Sequence, residues 1–190
     1  RQRQMCIRDR SHRCPLSCAY CSNPVELIQK NKELETKDWL RVIDEAADMG
    51  IYQIHFSGGE PTLRKDLPDL VARAKQHKMM VSFTTNGSAP INKMEELLET
   101  DVIRVSIEGT YHLHDTGRVY PGAFNIDVYT LRFLVSKGKK PIITTVYMDN
   151  TPYEMLEKLA LLARELNSKI SVNVLSNSHE DSEEGNDNHL

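Results

Sequence analysis

The chain has 190 residues, enough for one domain with a sizeable core and too few for two large ones joined by a linker. Its 24 basic and 27 acidic residues leave a formal net charge of -3, so no overall positive field recruits nucleic acid or an anionic membrane, and the expected partner is a small molecule or a peptide. No apolar run reaches the length of a bilayer crossing and no secretory signal pattern is visible, which predicts a cytoplasmic protein.

The opening segment RQRQMCIRDR has four arginines and no strand alternation. Residues 1–10, with Cys6, are therefore expected to be a non-native tail standing where a buried first strand should be. The cysteine loop CPLSCAYCSNP follows. Thr36 reads as an N-cap with Asp38 in the first turn, opening a helix that places Trp39, Val42, Ile43, Ala46 and Ala47 on one face and stops at Gly50. The strand QIHFS comes next. Asp66 then caps a helix with Pro68 just inside its start and Leu67, Leu70, Val71 and Ala74 inward, leading to the strand MVSFTT.

Leu97 and Leu98 are assigned to a shorter helix, and VIRVSI to another strand. A helix with Val128, Leu131, Leu134 and Val135 inward ends by Gly138 before the strand PIITTVY. Thr151, Pro152 and Glu154 form the clearest cap, opening a helix with Leu156, Leu159, Ala163 and Leu166 inward, and KISVNVL supplies the last strand. From Ser176 on, the chain is acidic with almost nothing to bury, and 176–190 is expected to be a loop or a cut edge. Strands alternating with helices predict an α/β fold around a parallel sheet, open or an incomplete barrel. Residues 11–175 form its core domain, and the chemistry belongs on the loops that follow the strands.

Cys14, Cys18 and Cys21 are spaced by three and then two intervening residues in a loop that must curl around something small. Thiolates are soft ligands for iron–sulfur clusters, Zn²⁺ or Cu(I), and three from one loop leave one iron of a four-iron cluster open. The spacing alone also admits a structural zinc site completed by His12 or another histidine, and three unrelated thiols. The pair Gly58-Gly59 ahead of Glu60 and Pro61 reads as a place where backbone meets a ligand beside a carboxylate, or as a glycine turn with a solvated glutamate. Asn86-Gly87 and Glu108-Gly109 are also ordinary turn chemistry. There is no Ser-His-Asp arrangement, HExxH or phosphate-cradling loop, so hydrolase and kinase readings have no support. Met79, Met80 and Met94 read as core filler or loop positions.

The pattern CxxxCxxC, with the aromatic Tyr20 before its last cysteine, resembles the signature of the radical S-adenosylmethionine (radical SAM) enzymes, and the likeness runs from His12 to about Leu175. It implies a partial (β/α)6 TIM-like barrel, here truncated at both ends, with a [4Fe-4S] cluster on Cys14, Cys18 and Cys21. The activity implied is reductive cleavage of S-adenosylmethionine to a 5′-deoxyadenosyl radical that abstracts hydrogen, with no protein acid or base required at the first step. By the same resemblance Gly58, Gly59, Glu60 and Pro61 hold the methionine amino group. Thr85, Asn86, Ser106 and Glu108 line the cofactor, as does Tyr20, and Arg118 in HDTGRVYPGAF faces its carboxylate; the alternative for Arg118 is a surface pairing with Asp115. Thr144, Thr145 and Asn173 to Leu175 are placed near substrate or adenine by position.

Within that superfamily, HRCPLSCAYCSNPVEL, WLRVIDEAADMG and HFSGGEPTLRKDL look most like the peptide cyclases of pyrroloquinoline quinone biosynthesis. TNG and SIEG resemble instead the wider group of SPASM-type peptide- and cofactor-maturing enzymes. The implied partners are a peptide or small-molecule substrate and an electron donor such as flavodoxin or ferredoxin. The competing expectation is a non-catalytic iron–sulfur or zinc-binding module.

Overall fold

The computed structural model describes residues 13–18, 20, 21, 34–147 and 152–174, and the backbone of 4–8. Among the described residues six parallel strands form one sheet in sequence order: β1 (Gln4–Arg8), β2 (Gln53–Ser57), β3 (Met80–Thr85), β4 (Val102–Ser106), β5 (Ile142–Tyr147) and β6 (Lys169–Val174). The helices are α1 (Thr36–Asp48), α2 (Leu67–Gln76), α3 (Ile91–Glu96), α4 (Tyr111–Arg118), α5 (Ala123–Ser136) and α6 (Tyr153–Glu165), with a 3-10 turn at Pro61–Leu63. Parallel neighbours need crossover connections, and crossovers of one hand keep the helices on one side of the sheet. The result is the α/β arrangement of an incomplete (β/α)6 barrel.

The two faces of the sheet differ in chemistry. Ile54, Phe56, Val81, Phe83, Ile103, Val105 and Ile143 are buried in one core with Ile43, Leu67, Leu70, Met94, Leu97, Leu131, Leu134 and Leu159 from the helical segments. The intervening positions His55, Ser57, Thr84, Arg104, Ser106 and Thr144 are only half-buried. Strand register puts Thr84 beside Arg104, and Ser106 beside Thr144. This second face is therefore polar, and it is the face the cavity occupies.

Several expectations need correction. A first strand is present: Gln4–Arg8 pairs in parallel with Gln53–Ser57 over five positions. Pairing there runs through main-chain amides and carbonyls, which an arginine-rich segment carries as well as any other, so the lack of alternation is no obstacle. Thr36 is the first helical residue of α1 and does not cap it; the N-cap is Glu35. Thr36 instead donates to Asp66 Oδ2 at 2.7 Å. Asp66 precedes α2 as expected but makes no side-chain cap, because its carboxylate also accepts Arg64 Nε at 2.9 Å and Nη2 at 2.7 Å.

Leu97 lies just past the end of α3 yet is fully buried, and Met155 rather than Leu156 is the buried residue in the first turn of α6. Met79 and Met94 are core residues while Met80 is exposed. The helix α4 has no counterpart among the expected elements. Its inward residues are His114, Asp115 and Arg118, so it carries no apolar periodicity to detect. His12, Thr151, Leu175 and the acidic stretch from Ser176 lie outside the described residues.

Candidate functional site

The carboxyl ends of β2, β3, β4 and β5 and the cysteine loop surround a cavity of about 410 Å³. Cys14, Cys18, Cys21 and Tyr20 line it with Gly58, Gly59, Thr85, Asn86, Ser106, Glu108 and Arg118. Glu60 and Pro61 are buried behind the wall and do not line it. Thr144, Thr145 and Asn173 are also absent from the lining. Leu16, Ser17, Ser57, Thr84 and Val146 complete it without having been expected there. Strand periodicity held the signal for two of these: Val146 shares its sheet face with Thr144, and Thr84 shares one with Ser57.

Glu60 is the knot between the loops. Its Oε1 accepts from Thr62 N at 3.1 Å, from Thr62 Oγ1, and from Thr85 Oγ1 at 2.9 Å; its Oε2 accepts from Asn86 N at 2.7 Å. Burial pushes this carboxyl up, and the four donors oppose the push. Its own main-chain N–H donates to Arg13 O at 2.8 Å, which ties the cysteine loop to the glycine loop. The carboxylate thus faces protein donors and not the cavity. The glycines before it are what the cavity meets.

The next loop is set by Asn86 and Gly87. Asn86 Oδ1 accepts from Ser88 N at 3.0 Å and from Ser88 Oγ at 2.5 Å. Its Nδ2 stands 3.3 Å from Cys14 Sγ. Gly87 has φ +71°, and a Cβ there would overlap Asp127 Oδ1. Burial pushes the Cys14 thiol up, with the Leu16 N–H opposing, and it pushes the Cys18 thiol up against the charge of Arg118.

The third wall is a buried charged network. Arg118 donates to Glu108 Oε2 from Nε at 3.0 Å and from Nη2 at 2.7 Å, to Ser106 O at 3.0 Å, and to Cys18 Sγ from Nη1 at 3.7 Å. Its partner is therefore Glu108 and not Asp115, whose oxygens accept from Phe124 N at 2.9 Å and Gly122 N at 2.6 Å at the start of α5. Burial works against ionisation of Glu108, but His114 and the Arg118 charge outweigh it and hold the carboxyl below its usual range. His114 Nδ1 lies 3.1 Å from Glu108 N and 3.5 Å from Glu108 Oε2, and its Nε2 lies 2.9 Å from Asp127 Oδ2. Burial pushes Asp127 up to about 6. The Arg118 guanidinium also lies 6.0 Å from the centre of the Tyr20 ring, and a Cβ on Gly117 would meet that ring at 3.0 Å. Tyr20 is thereby packed against α4.

Outside the expected set, His55 bonds Ser82 Oγ from Nδ1 at 2.8 Å and Thr84 Oγ1 from Nε2 at 3.1 Å. Burial, and then the nearby Arg104 charge, lower its pKa. It is a neutral support under the Thr84 wall. Among the described residues no three histidine, cysteine or acidic side chains gather as a ready-made site for a single metal ion. The three thiols share the lining of one cavity, and thiolates are soft ligands that suit sulfur-loving groups.

An incomplete α/β barrel with soft sulfur ligands and glycine-rich loops at its strand ends defines a cofactor-binding barrel domain. The radical SAM superfamily profile matches residues 10–163, and the chain belongs to that superfamily, whose cofactors are a [4Fe-4S] cluster and S-adenosylmethionine. The PqqA peptide cyclase of Granulibacter bethesdensis is 54% identical over 81 residues, which is 43% of this chain and 22% of that protein. The PqqA peptide cyclase of Xanthomonas euvesicatoria pv. vesicatoria is 48% identical over 89 residues, 47% of this chain and 24% of that protein. The matched segments thus span less than a quarter of these relatives. Streptococcus suis SuiB bound to the precursor peptide SuiA superposes with TM-score 0.78 at 22% identity, covering 92% of this chain and 40% of SuiB. Native anSMEcpe with bound AdoMet and Cp18Cys peptide gives TM-score 0.73 at 18% identity, covering 89% of this chain and 50% of its own. These structural likenesses establish the fold.

Proposed function

We propose that this chain is the core of a radical SAM enzyme that modifies a peptide, with Cys14, Cys18 and Cys21 as the cluster ligands. The observation that carries the reading is the meeting of all three cysteines with the strand-end loops of β2, β3 and β4 on one cavity. When bound, the cluster and S-adenosylmethionine supply an electron and a 5′-deoxyadenosyl radical for hydrogen abstraction. The chain's own work is positioning and the exclusion of water. Gly58 and Gly59 bring main-chain atoms to the cofactor, with Glu60 holding that loop from beneath. Thr85, Ser106 and Asn86 offer polar contacts at the wall, and Tyr20 and Arg118 hold the cysteine loop against α4. The peptide substrate is supported by the PqqA peptide cyclase relatives and by the precursor peptide bound in SuiB. An electron donor such as flavodoxin or ferredoxin serves the cluster. Among the described residues no helix is long and apolar enough to cross a membrane.

The test is anaerobic reconstitution with iron and sulfide, followed by S-adenosylmethionine and dithionite. The expected result is a brown protein that releases 5′-deoxyadenosine, and alanine at any one of the three cysteines abolishes both colour and product. Cluster uptake without cleavage would favour a binding module, and a cysteine variant that kept both would sink the ligand assignment. Faster 5′-deoxyadenosine release on adding a short precursor peptide encoded beside this gene would support the peptide substrate.

A further inference from the structure

The carboxamide of Asn86 is held in one orientation by its surroundings. Its oxygen is occupied by the Ser88 main-chain N–H at 3.0 Å and the Ser88 hydroxyl at 2.5 Å. An amide turned the other way would point its NH₂ at the Ser88 N–H, donor against donor, so the nitrogen must face the opposite side. What it faces there is Cys14 Sγ at 3.3 Å. The main chain is equally fixed, since Asn86 N donates to the buried Glu60 at 2.7 Å. At Cys18 the only donor among the described residues is the guanidinium of Arg118 at 3.7 Å, and Cys21 is exposed.

Hydrogen bonds to a cluster thiolate stabilise the reduced, more negative state more than the oxidised one, and so raise the reduction potential. Resting on the cluster assignment above, we propose that Asn86 is a tuning residue: its side-chain N–H donates to the Cys14 thiolate and raises the potential of the bound cluster, easing its one-electron reduction. Ser88 acts through Asn86 by fixing which end of the amide faces the sulfur. Among the described residues Cys14 thus has the closer side-chain donor, at 3.3 Å against 3.7 Å for Cys18.

The test is a redox titration, followed by electron paramagnetic resonance, of the reconstituted chain without S-adenosylmethionine, comparing wild type, Asn86→Leu and Ser88→Ala. Asn86→Leu is expected to hold a cluster whose midpoint is more negative than that of wild type, and Ser88→Ala to shift in the same direction by less. Equal or more positive midpoints in both variants, with the cluster intact, overturn the proposal while leaving the cluster assignment standing. A wild-type chain that takes up no cluster overturns both. Should Asn86→Leu lose the cluster altogether, Ser88→Ala decides, and an unshifted midpoint there refutes the tuning role. Arg118 is the poorer probe, because its removal leaves Glu108 buried without its cation.

Discussion

Gly87 and Glu60 show how tightly single positions hold the cavity wall. At Gly87 the backbone is left-handed and the Asp127 carboxylate occupies the space a side chain would need. Gly138 has a similar φ of +77°, but no atom lies within 4 Å of where a Cβ would stand. Gly138→Ala should therefore cost about 1 kcal/mol, and Gly87→Ala on the order of 3 kcal/mol, measured by chemical denaturation. Equal costs would mean that Asp127 moves aside freely. Glu60→Gln replaces one acceptor oxygen by a donor that must face either Asn86 N–H or the three donors on the other side. A loss of about 1–3 kcal/mol is expected from the same measurement, accompanied by weaker cluster uptake because Asn86 is released.

Asp127 gives a pH dependence of definite sign. Folding raises its carboxyl from near 4 to about 6 through burial, so the folded state binds this proton more tightly. The stability it contributes is fully present below about pH 4 and is lost as pH rises through about 6. Asp127→Asn removes the dependence. The variant should gain on wild type by on the order of 2 kcal/mol between pH 4 and 7 in denaturation curves, whereas a constant difference would contradict the raised pKa.

At the scale of elements, the joint between α1 and α2 is held by Asp44. It accepts Arg73 Nε at 2.7 Å and Nη2 at 2.8 Å, with His77 Nε2 at 2.7 Å. Arg73, then His77, hold its carboxyl down to about 2. This depressed value means that the contribution is present above about pH 4 and lost as pH falls toward 2. Asp44→Asn should flatten the acid limb of the stability profile over that window, and should matter less at high salt because the pair is surface-exposed. The helix α4 presents the opposite case, an element whose inward face is charged. Its burial is supported by Arg118 on Glu108, His114 against Glu108 N and Asp127, and Asp115 at the start of α5. These links explain why a sequence segment with no apolar stripe is nevertheless a helix packed beside the cavity.

On the scale of the whole molecule, β1 closes the edge of the sheet beside the glycine loop. Its five paired positions run up to Ser57, directly ahead of Gly58. Removing residues 1–8 exposes the β2 edge and withdraws support from the cysteine loop that follows. A loss on the order of 1–3 kcal/mol in denaturation, with reduced cluster uptake, is the expected outcome. An unchanged midpoint would return that segment to the status of a tail.

The elements around the core were readable because their chemistry is periodic. QIHFS, and Leu67, Leu70, Val71 and Ala74 on α2, show the spacing that burial on one face demands, and in MVSFTT Val81, Phe83 and Thr85 keep it although Ser82 between them is buried as well. The cysteine spacing, GGEP and TNG were equally plain, because each is a contiguous run whose residue types carry the chemistry. The sequence by itself thus determined the α/β order, the family resemblance and the membership of most of the cavity wall. Only the tertiary structure decided that Gln4–Arg8 is a strand, that Glu60 turns inward to bind Thr62, Thr85 and Asn86, that Arg118 takes Glu108 as partner, and that Asn86 faces Cys14. Apart from Glu60 with Thr62, two positions away, those facts are pairings between residues 10 to 72 positions apart or between strands. Local periodicity says which side of an element is buried; which donor meets which acceptor depends on how the separate strand ends are brought together.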